Sequence, residues 1–381
     1  MPEIAAHIVA TPGSGIRHIY EIALQRPGTI MLAVGEPSAQ VAQPVRDAAA
    51  AAWRAGRTRY TANAGISGLR EAIAATLARQ NGLQVGTERI WVTAGATQAL
   101  HQAMALVLAP GDEVLVPDPG YTTFTMNAHM LSARPVPYAL TPERGFQPDL
   151  DALERLVTPR TRAIIVNSPS NPLGSTFSRA TLQAIVDLAV ARDLWVISDE
   201  VYERFTWGEP HVSLATLSGG DERVLSVFSV SKTYAMTGAR VGWLVTPPGF
   251  EAVMPAVQEA AISCVNAPAQ EAAVAALTGS QEPVEIAARA YRENLAAACR
   301  VLDERGIGYL EPTGAFYLWI DVSHATDGDV AAWAERFLIE RGVAVAPGSA
   351  FGASGEGWIR VCVASDLADL EEGLRRLPAP R

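Results

Sequence analysis

The sequence predicts an α/β fold: a mostly parallel sheet between helices, with a smaller α+β domain attached. Three patterns predict it. Short apolar runs rich in Val and Ile fall at residues 90–93, 113–117, 162–167, 194–198, 224–228 and 241–245, as expected of strands covered on both faces. Amphipathic stretches such as 97–108 and 179–192 lie between them, and this alternation selects a predominantly parallel sheet with helices on both sides. Past about residue 280 the rhythm changes. A long helical stretch (284–305) leads to segments at 314–322, 343–347 and 357–363, interleaved with helical patterns at 329–342 and 366–377. The first 40 or so residues carry little repetition beyond 16–24 and suit packing on either domain. We group 1–44 with 281–381 as the small domain and take 45–280 as the large one.

A chain of 381 residues can bury a sizeable core. Its net charge of -10 argues against a nucleic-acid partner, which needs a basic face, but leaves room for a small anion in a local positive pocket. The three cysteines are far apart and form no C-x-x-C pair, which suggests reduced thiols and a cytoplasmic location. The start, MPEIAAHIVA, lacks the basic and long apolar regions of a secretory signal. No run approaches the roughly 18–20 apolar residues of a membrane span. The six histidines are scattered, so no catalytic metal is expected.

One count is unusual. Of the 30 basic residues, Lys232 is the only lysine, and 30 minus 1 leaves 29 arginines. A nucleotide-composition bias towards Arg codons accounts for the depletion, but not for the survivor. Arg cannot become a neutral nucleophilic amine, whereas Lys can. Lys232 is therefore a candidate for chemistry that requires a primary amine.

The polar residues of interest fall at the carboxyl ends of the expected strands, where open α/β sheets bind ligands. Thr93-Ala94-Gly95-Ala96-Thr97 ends a strand and opens a helix, making either an anion site at the helix N-terminus or a plain tight turn. Asp118-Pro119-Gly120-Tyr121 presents a ring suited to stacking on a planar ligand, or a core tyrosine after a turn. Asn167-Ser168-Pro169-Ser170-Asn171-Pro172-Leu173-Gly174 is dense in turn formers that hold Asn171 rigidly. Asp199, after an apolar run, needs a cationic partner if buried: a protonated pyridine, an arginine, or a helix N-terminus to cap. Lys232 follows another strand among hydroxyls, with Arg240 eight residues on. Burial and a neighbouring cation would lower its pKa and let it add to a carbonyl and act as a base. Together these ends supply a phosphate cradle, a stacking ring, an acid for a pyridinium and an amine for an aldehyde.

The segments SVSKTYAMTGARVGW, VNSPSNPLG, SDEVY, PTGAFYLW and PGSAFG…GEGWIRV resemble, in the same order, the motifs of class I/II aminotransferases. These are the aspartate-aminotransferase-like members of fold type I, and the similarity runs from about Gly13 to Leu377. The resemblance implies a three-layer PLP-transferase fold and pyridoxal 5′-phosphate carried as a Schiff base on Lys232. It implies that Lys232 shuttles the proton between the substrate Cα and the cofactor's C4′, and that Asp199 pairs with the pyridine nitrogen. Tyr202 and Asn171 would hydrogen-bond the phenolic oxygen, and Tyr121 would stack on the ring. Ala96, Thr97, Ser229 and Arg240 would hold the phosphate. Arg360 would clamp the substrate carboxylate, and Gly35 would line the substrate site beside Asn171. Tyr60, in RYTANAGISGLREAI, matches a tyrosine reaching the neighbouring subunit's phosphate, so a homodimer is expected. Arg360 also has support in its own strand, where alternation sets it opposite Ile359, Val361 and Val363. Ala96 stands where glycine or serine is also common, and Leu173 replaces the threonine of NPTG.

The expected activity is ping-pong transfer of an amino group between an L-amino acid and a 2-oxo acid. The alternatives are a C–S β-lyase or another non-transaminating enzyme of this fold type, and a non-enzymatic binding protein. For the side-chain pocket, the candidates are Arg17 and residues around Asn266.

Overall fold

The computed structural model describes residues 2–380. Seven strands build the large sheet: β1 (Ile90–Thr93), β2 (Glu113–Asp118), β3 (Arg134–Ala139), β4 (Thr161–Asn167), β5 (Trp195–Asp199), β6 (Val224–Ser229) and β7 (Gly242–Val245). Their order is β1-β7-β6-β5-β4-β2-β3. All neighbouring pairs are parallel except the two involving β7, which runs against β6 and β1. The sheet is thus mostly parallel, and the α/β class is as expected.

Six of these strands coincide with the apolar runs. The seventh, β3, carries Pro135 and Pro137 and gives no strand signal. It is tolerated as an edge strand paired only with β2, where a missing N–H need not break a ladder. Alternation along the central strands feeds two cores. Leu115, Ile164, Val166, Val224 and Phe228 point into one, while Val114, Val116, Ala163, Ile165, Leu225 and Val227 point into the other. Each such buried aliphatic side chain contributes about 1.5–3 kcal/mol. Two-sided burial explains why these strands read as continuous apolar runs.

A second sheet of four antiparallel strands, β8 (Tyr309–Leu310), β9 (Tyr317–Asp321), β10 (Ala346–Pro347) and β11 (Trp358–Cys362), has the order β10-β11-β9-β8. The helix Glu282–Glu304 leads into it, burying Tyr291, Leu295, Ala298 and Leu302 on one face. Helices Arg179–Arg192, Val330–Arg341 and Leu367–Arg375 start where Ser178, Asp329 and Asp366 accept backbone N–H bonds, and Gly342 (φ 67°) ends the second. The N-terminal segment joins this part of the molecule: Ile30–Met31 pairs in parallel with Val343–Ala344, and the Cys362 N–H donates to the Leu32 carbonyl. Among the described residues no helix is long and apolar enough to cross a membrane, and no group of His, Cys, Asp and Glu is arranged to hold a metal.

Candidate active site

A cavity of about 470 Å³ opens at the carboxyl ends of the large-sheet strands. Gly35, Ala96, Thr97, Tyr121, Asn171, Asp199, Tyr202, Ser229, Lys232, Arg240 and Arg360 all line it. Of the residues expected to hold cofactor or substrate, Tyr60 lies elsewhere, 89% exposed.

Lys232 is placed by β6. The strand ends at Ser229, whose hydroxyl oxygen accepts the Ser231 N–H at 3.0 Å and starts the single turn Val230–Thr233. Lys232 Nζ donates to the Gly35 carbonyl at 2.7 Å. A Cβ on Gly35 would stand 2.1 Å from the Tyr317 hydroxyl, so only glycine brings that carbonyl so near. Burial lowers the Lys232 pKa to about 8; Arg360 and Arg240 push the same way, and Cys362 and Glu36 oppose.

Asp199 closes β5 and is 4% exposed. Its carboxylate accepts the Val201 N–H at 3.4 Å, and no ion-pair partner reaches it among the described residues. Burial drives its pKa up to about 7, Glu200 adds to the rise, and Lys232 restrains it. A carboxylate in this state is short of a cation. A protonated ring nitrogen is a fitting partner.

Arg360 is the mirror case: a cation 2% exposed with no carboxylate beside it among the described residues. Its Nη1 donates to Asn171 Oδ1 at 2.7 Å, its Nη2 to the Ala33 carbonyl, and its Nε has no partner. The guanidinium lies over the rings of Tyr317 (4.5 Å) and Phe351 (4.9 Å). A buried, flanked fork of this kind suits bidentate binding of a carboxylate.

The anion cradle forms where β1 meets the helix Ala96–Val107. Gly95 (φ 78°) turns the chain, and Ala96 and Thr97 open the helix with first-turn N–H groups. The Arg240 guanidinium lies across Gly95, held by the carbonyls of Thr237 (2.9 Å) and Ala94 (3.3 Å). A Cβ on Gly95 would stand 2.3 Å from Arg240 Nη2. The Ser229 hydroxyl is within 2.8 Å of Ser231 Oγ and 2.9 Å of the Val241 carbonyl, so Ser231 belongs beside it at the cradle. Tyr121, half-buried, packs edge-on against Phe124 at 5.7 Å.

Three contributors escape a linear reading. Tyr317 bonds the Tyr202 hydroxyl at 2.7 Å across 115 residues, and burial raises both phenols well above their usual range. Asn167 ties two strand ends together: its Nδ2 donates to the Asp199 carbonyl at 3.1 Å, and its Oδ1 accepts the Asn171 N–H at 2.8 Å. Ser231 is the third. Both Tyr317 and Asn167 stand inside quoted motifs, which is the signal that points to them. Of the side-chain-pocket candidates, Arg17 lines the cavity, paired with Glu21 at 3.3 Å. Asn266 does not; it caps the helix Ala267–Thr278 by accepting the Ala269 N–H at 2.9 Å, a turn chemistry that its sequence setting did not disclose.

Fold and cavity together define an α/β protein that gathers a helix N-terminus, a buried carboxylate, its sole lysine and a buried guanidinium in one cleft at the strand ends. The family model described as "Aminotransferase class I and II" matches residues 27–377. The chain is 36% identical to an aspartate aminotransferase of Pyrococcus abyssi, over 96% of this chain and 94% of that protein. It is 37% identical to the arginine–pyruvate transaminase AruH of Pseudomonas aeruginosa, over 91% and 88%. The Thermus thermophilus aspartate aminotransferase solved with maleate superposes with a TM-score of 0.92 at 35% identity, covering 99% of each chain. The chain belongs to the class I and II aminotransferases.

Proposed function

We propose that the protein uses pyridoxal 5′-phosphate to transfer an amino group between an L-amino acid and a 2-oxo acid, with Lys232 as the catalytic base. One observation carries the reading. The chain's sole lysine lines one cavity with a buried carboxylate and a buried guanidinium, neither of which has an ion-pair partner among the described residues. Each lacks what such a cofactor and substrate would bring.

Pyridoxal phosphate, when bound, supplies an aldehyde for the amino group and a ring that accepts electron density. The protein does the rest. Lys232, its pKa lowered by burial to about 8, is neutral in about a tenth of molecules at pH 7, far more often than a free lysine, and is suited to take the proton from the substrate Cα and return it. Asp199 would keep the pyridine nitrogen protonated. Tyr202 and Asn171 would hold the phenolic oxygen, and Tyr121 would cover the ring face. Ala96 and Thr97 N–H groups, Ser229 and Arg240 would bind the phosphate. Arg360 would orient the α-carboxylate, with Gly35 and Asn171 beside it. Tyr60 would complete the phosphate site of a neighbouring subunit, so the working unit would be a homodimer. We take residues 45–280 as the cofactor-binding domain and 1–44 with 281–381 as the small one; the bonds from Ile30–Met31 to Val343–Ala344 support that grouping. Three unpaired thiols support a cytoplasmic setting.

The test is direct. Protein loaded with pyridoxal phosphate and given an amino donor with 2-oxoglutarate or pyruvate is expected to form the exchanged pair. Borohydride reduction is expected to fix the cofactor on the peptide carrying Lys232. Release of pyruvate and ammonia from the donor alone, without exchange, would overturn the reading.

A further inference from the structure

Next to Asp199 lies a second buried polar cluster that the proposed reaction does not touch. The ladder of β5 continues one residue past the strand, the Glu200 N–H donating to the Val227 carbonyl at 2.9 Å. Alternation turns Ser198 and Glu200 away from the face that Asp199 presents to the cavity. Glu200 is fully buried. One of its oxygens accepts the Ser198 hydroxyl at 2.9 Å, and the other is 2.8 Å from His211 Nε2. No lysine or arginine pairs with Glu200 among the described residues.

Two adjacent buried carboxylates repel each other unless a positive charge offsets one of them, and Glu200 pushes the Asp199 pKa up. His211 is the group in place to do so. Its side chain is 9% exposed and edges a cavity of about 780 Å³, which gives it a route to exchange protons with solvent. The other charges around it are Glu203 and Arg204 on the turn after β5, and Arg179, Glu209 and Glu311 around that cavity. Burial opposes a proton on His211, but the hydrogen bond and charge of Glu200 and the charge of Glu203 outweigh it and raise its pKa. With its proton, His211 becomes the counter-ion of Glu200.

We propose that protonated His211 neutralises Glu200 and thereby keeps neighbouring Asp199 ionised, making His211 a positioning residue for the reaction although it lies outside the active-site cavity. The inference rests on the functional reading above only in giving Asp199 a pyridine to serve. The charge relation itself belongs to the protein alone.

Three measurements test it. In the apo protein, ¹⁵N-histidine NMR is expected to show both ring nitrogens of His211 protonated at pH 7; a neutral ring there overturns the proposal. His211→Gln keeps an amide donor near the Nε2 position but carries no charge. It is expected to lower kcat about tenfold, with a smaller change in donor KM, and to move the pH midpoint of the cofactor's visible band by about one unit, the scale of one lost charge interaction. Removing the second charge as well, in Glu200→Gln with His211→Gln, is expected to restore both readouts to within about threefold and half a unit of the parent. A His211→Gln protein that behaves as the parent, or a double variant no better than the single, overturns the proposal, because lost packing would not be rescued by losing more. Failure to bind pyridoxal phosphate or to exchange amino groups would sink the functional reading and leave the NMR result standing.

Discussion

Lys232 holds its amine in a half-buried site without a carboxylate partner among the described residues, and its folded-state pKa of about 8 lies below the 10.5 of a free side chain. A lowered lysine pKa means that the folded state disfavours the proton. Stability is reduced in full below pH 8, and the deficit fades as pH rises from about 8 to 10.5. Lys232→Met in the apo protein is therefore expected to be more stable than the parent at pH 7, by on the order of 1 kcal/mol, with the gap closing above pH 8 in urea titrations. The same change is expected to lower amino-group exchange by at least about 10³-fold, since no other primary side-chain amine exists in the chain. Arg360→Lys tests the opposite charge. A point ammonium cannot reproduce a two-pronged fork held between Asn171 and Ala33, so the donor KM is expected to rise about 10–100-fold with a lesser effect on kcat.

At the scale of elements, the site depends on two glycines that let β1, β7 and the helix Ala96–Val107 approach each other. A Cβ on Gly242 would meet backbone on three sides, at 2.7 Å from Ala96 N, the Gly95 carbonyl carbon and Phe228 O. Backbone cannot swing aside. At Gly95 the obstacle is the tip of Arg240, which can. Gly242→Ala is thus expected to destabilise the fold by about 3 kcal/mol or more. Gly95→Ala should cost nearer 1–2 kcal/mol, mostly for its positive φ, while weakening pyridoxal-phosphate binding about tenfold or more by displacing Arg240. Thermal melts and cofactor titration separate the two effects. Asn167→Ala would leave the Asp199 carbonyl and the Asn171 N–H unpaired in a buried place, costing about 1–3 kcal/mol by the same melts. Asp199 at the end of β5, Lys232 in the turn after β6 and Arg360 within β11 are legible in the sequence because each sets charge against an apolar run. Strand β3 is not, since its prolines speak against pairing and only its edge position permits it.

For the whole molecule the sharpest feature is Tyr60, 89% exposed on a chain whose other aromatic rings are mostly covered. If it serves a neighbour's phosphate, Tyr60→Phe is expected to leave the melting temperature within about 2 °C while weakening cofactor binding about tenfold. Sedimentation is expected to give twice the mass of one chain. A monomer that binds the cofactor fully would refute the shared site. A mixed dimer of Lys232→Ala and Tyr60→Ala chains supplies a further check. One of its two sites has both intact residues, so activity is expected to exceed that of either variant alone.

The sequence by itself determined the α/β class and pointed to the strand ends that line the cavity and to Lys232 as the sole side-chain amine. Local periodicity suffices for the class; the candidate residues came from composition and from the motif resemblance. Tertiary structure alone decided what each group faces. Tyr317 meets Tyr202, Asn167 joins two loops, Asn266 turns out to be a helix cap, and His211 reaches Glu200. Such pairings depend on which strands lie side by side. A chain's order leaves that open until its apolar faces have been buried against one another.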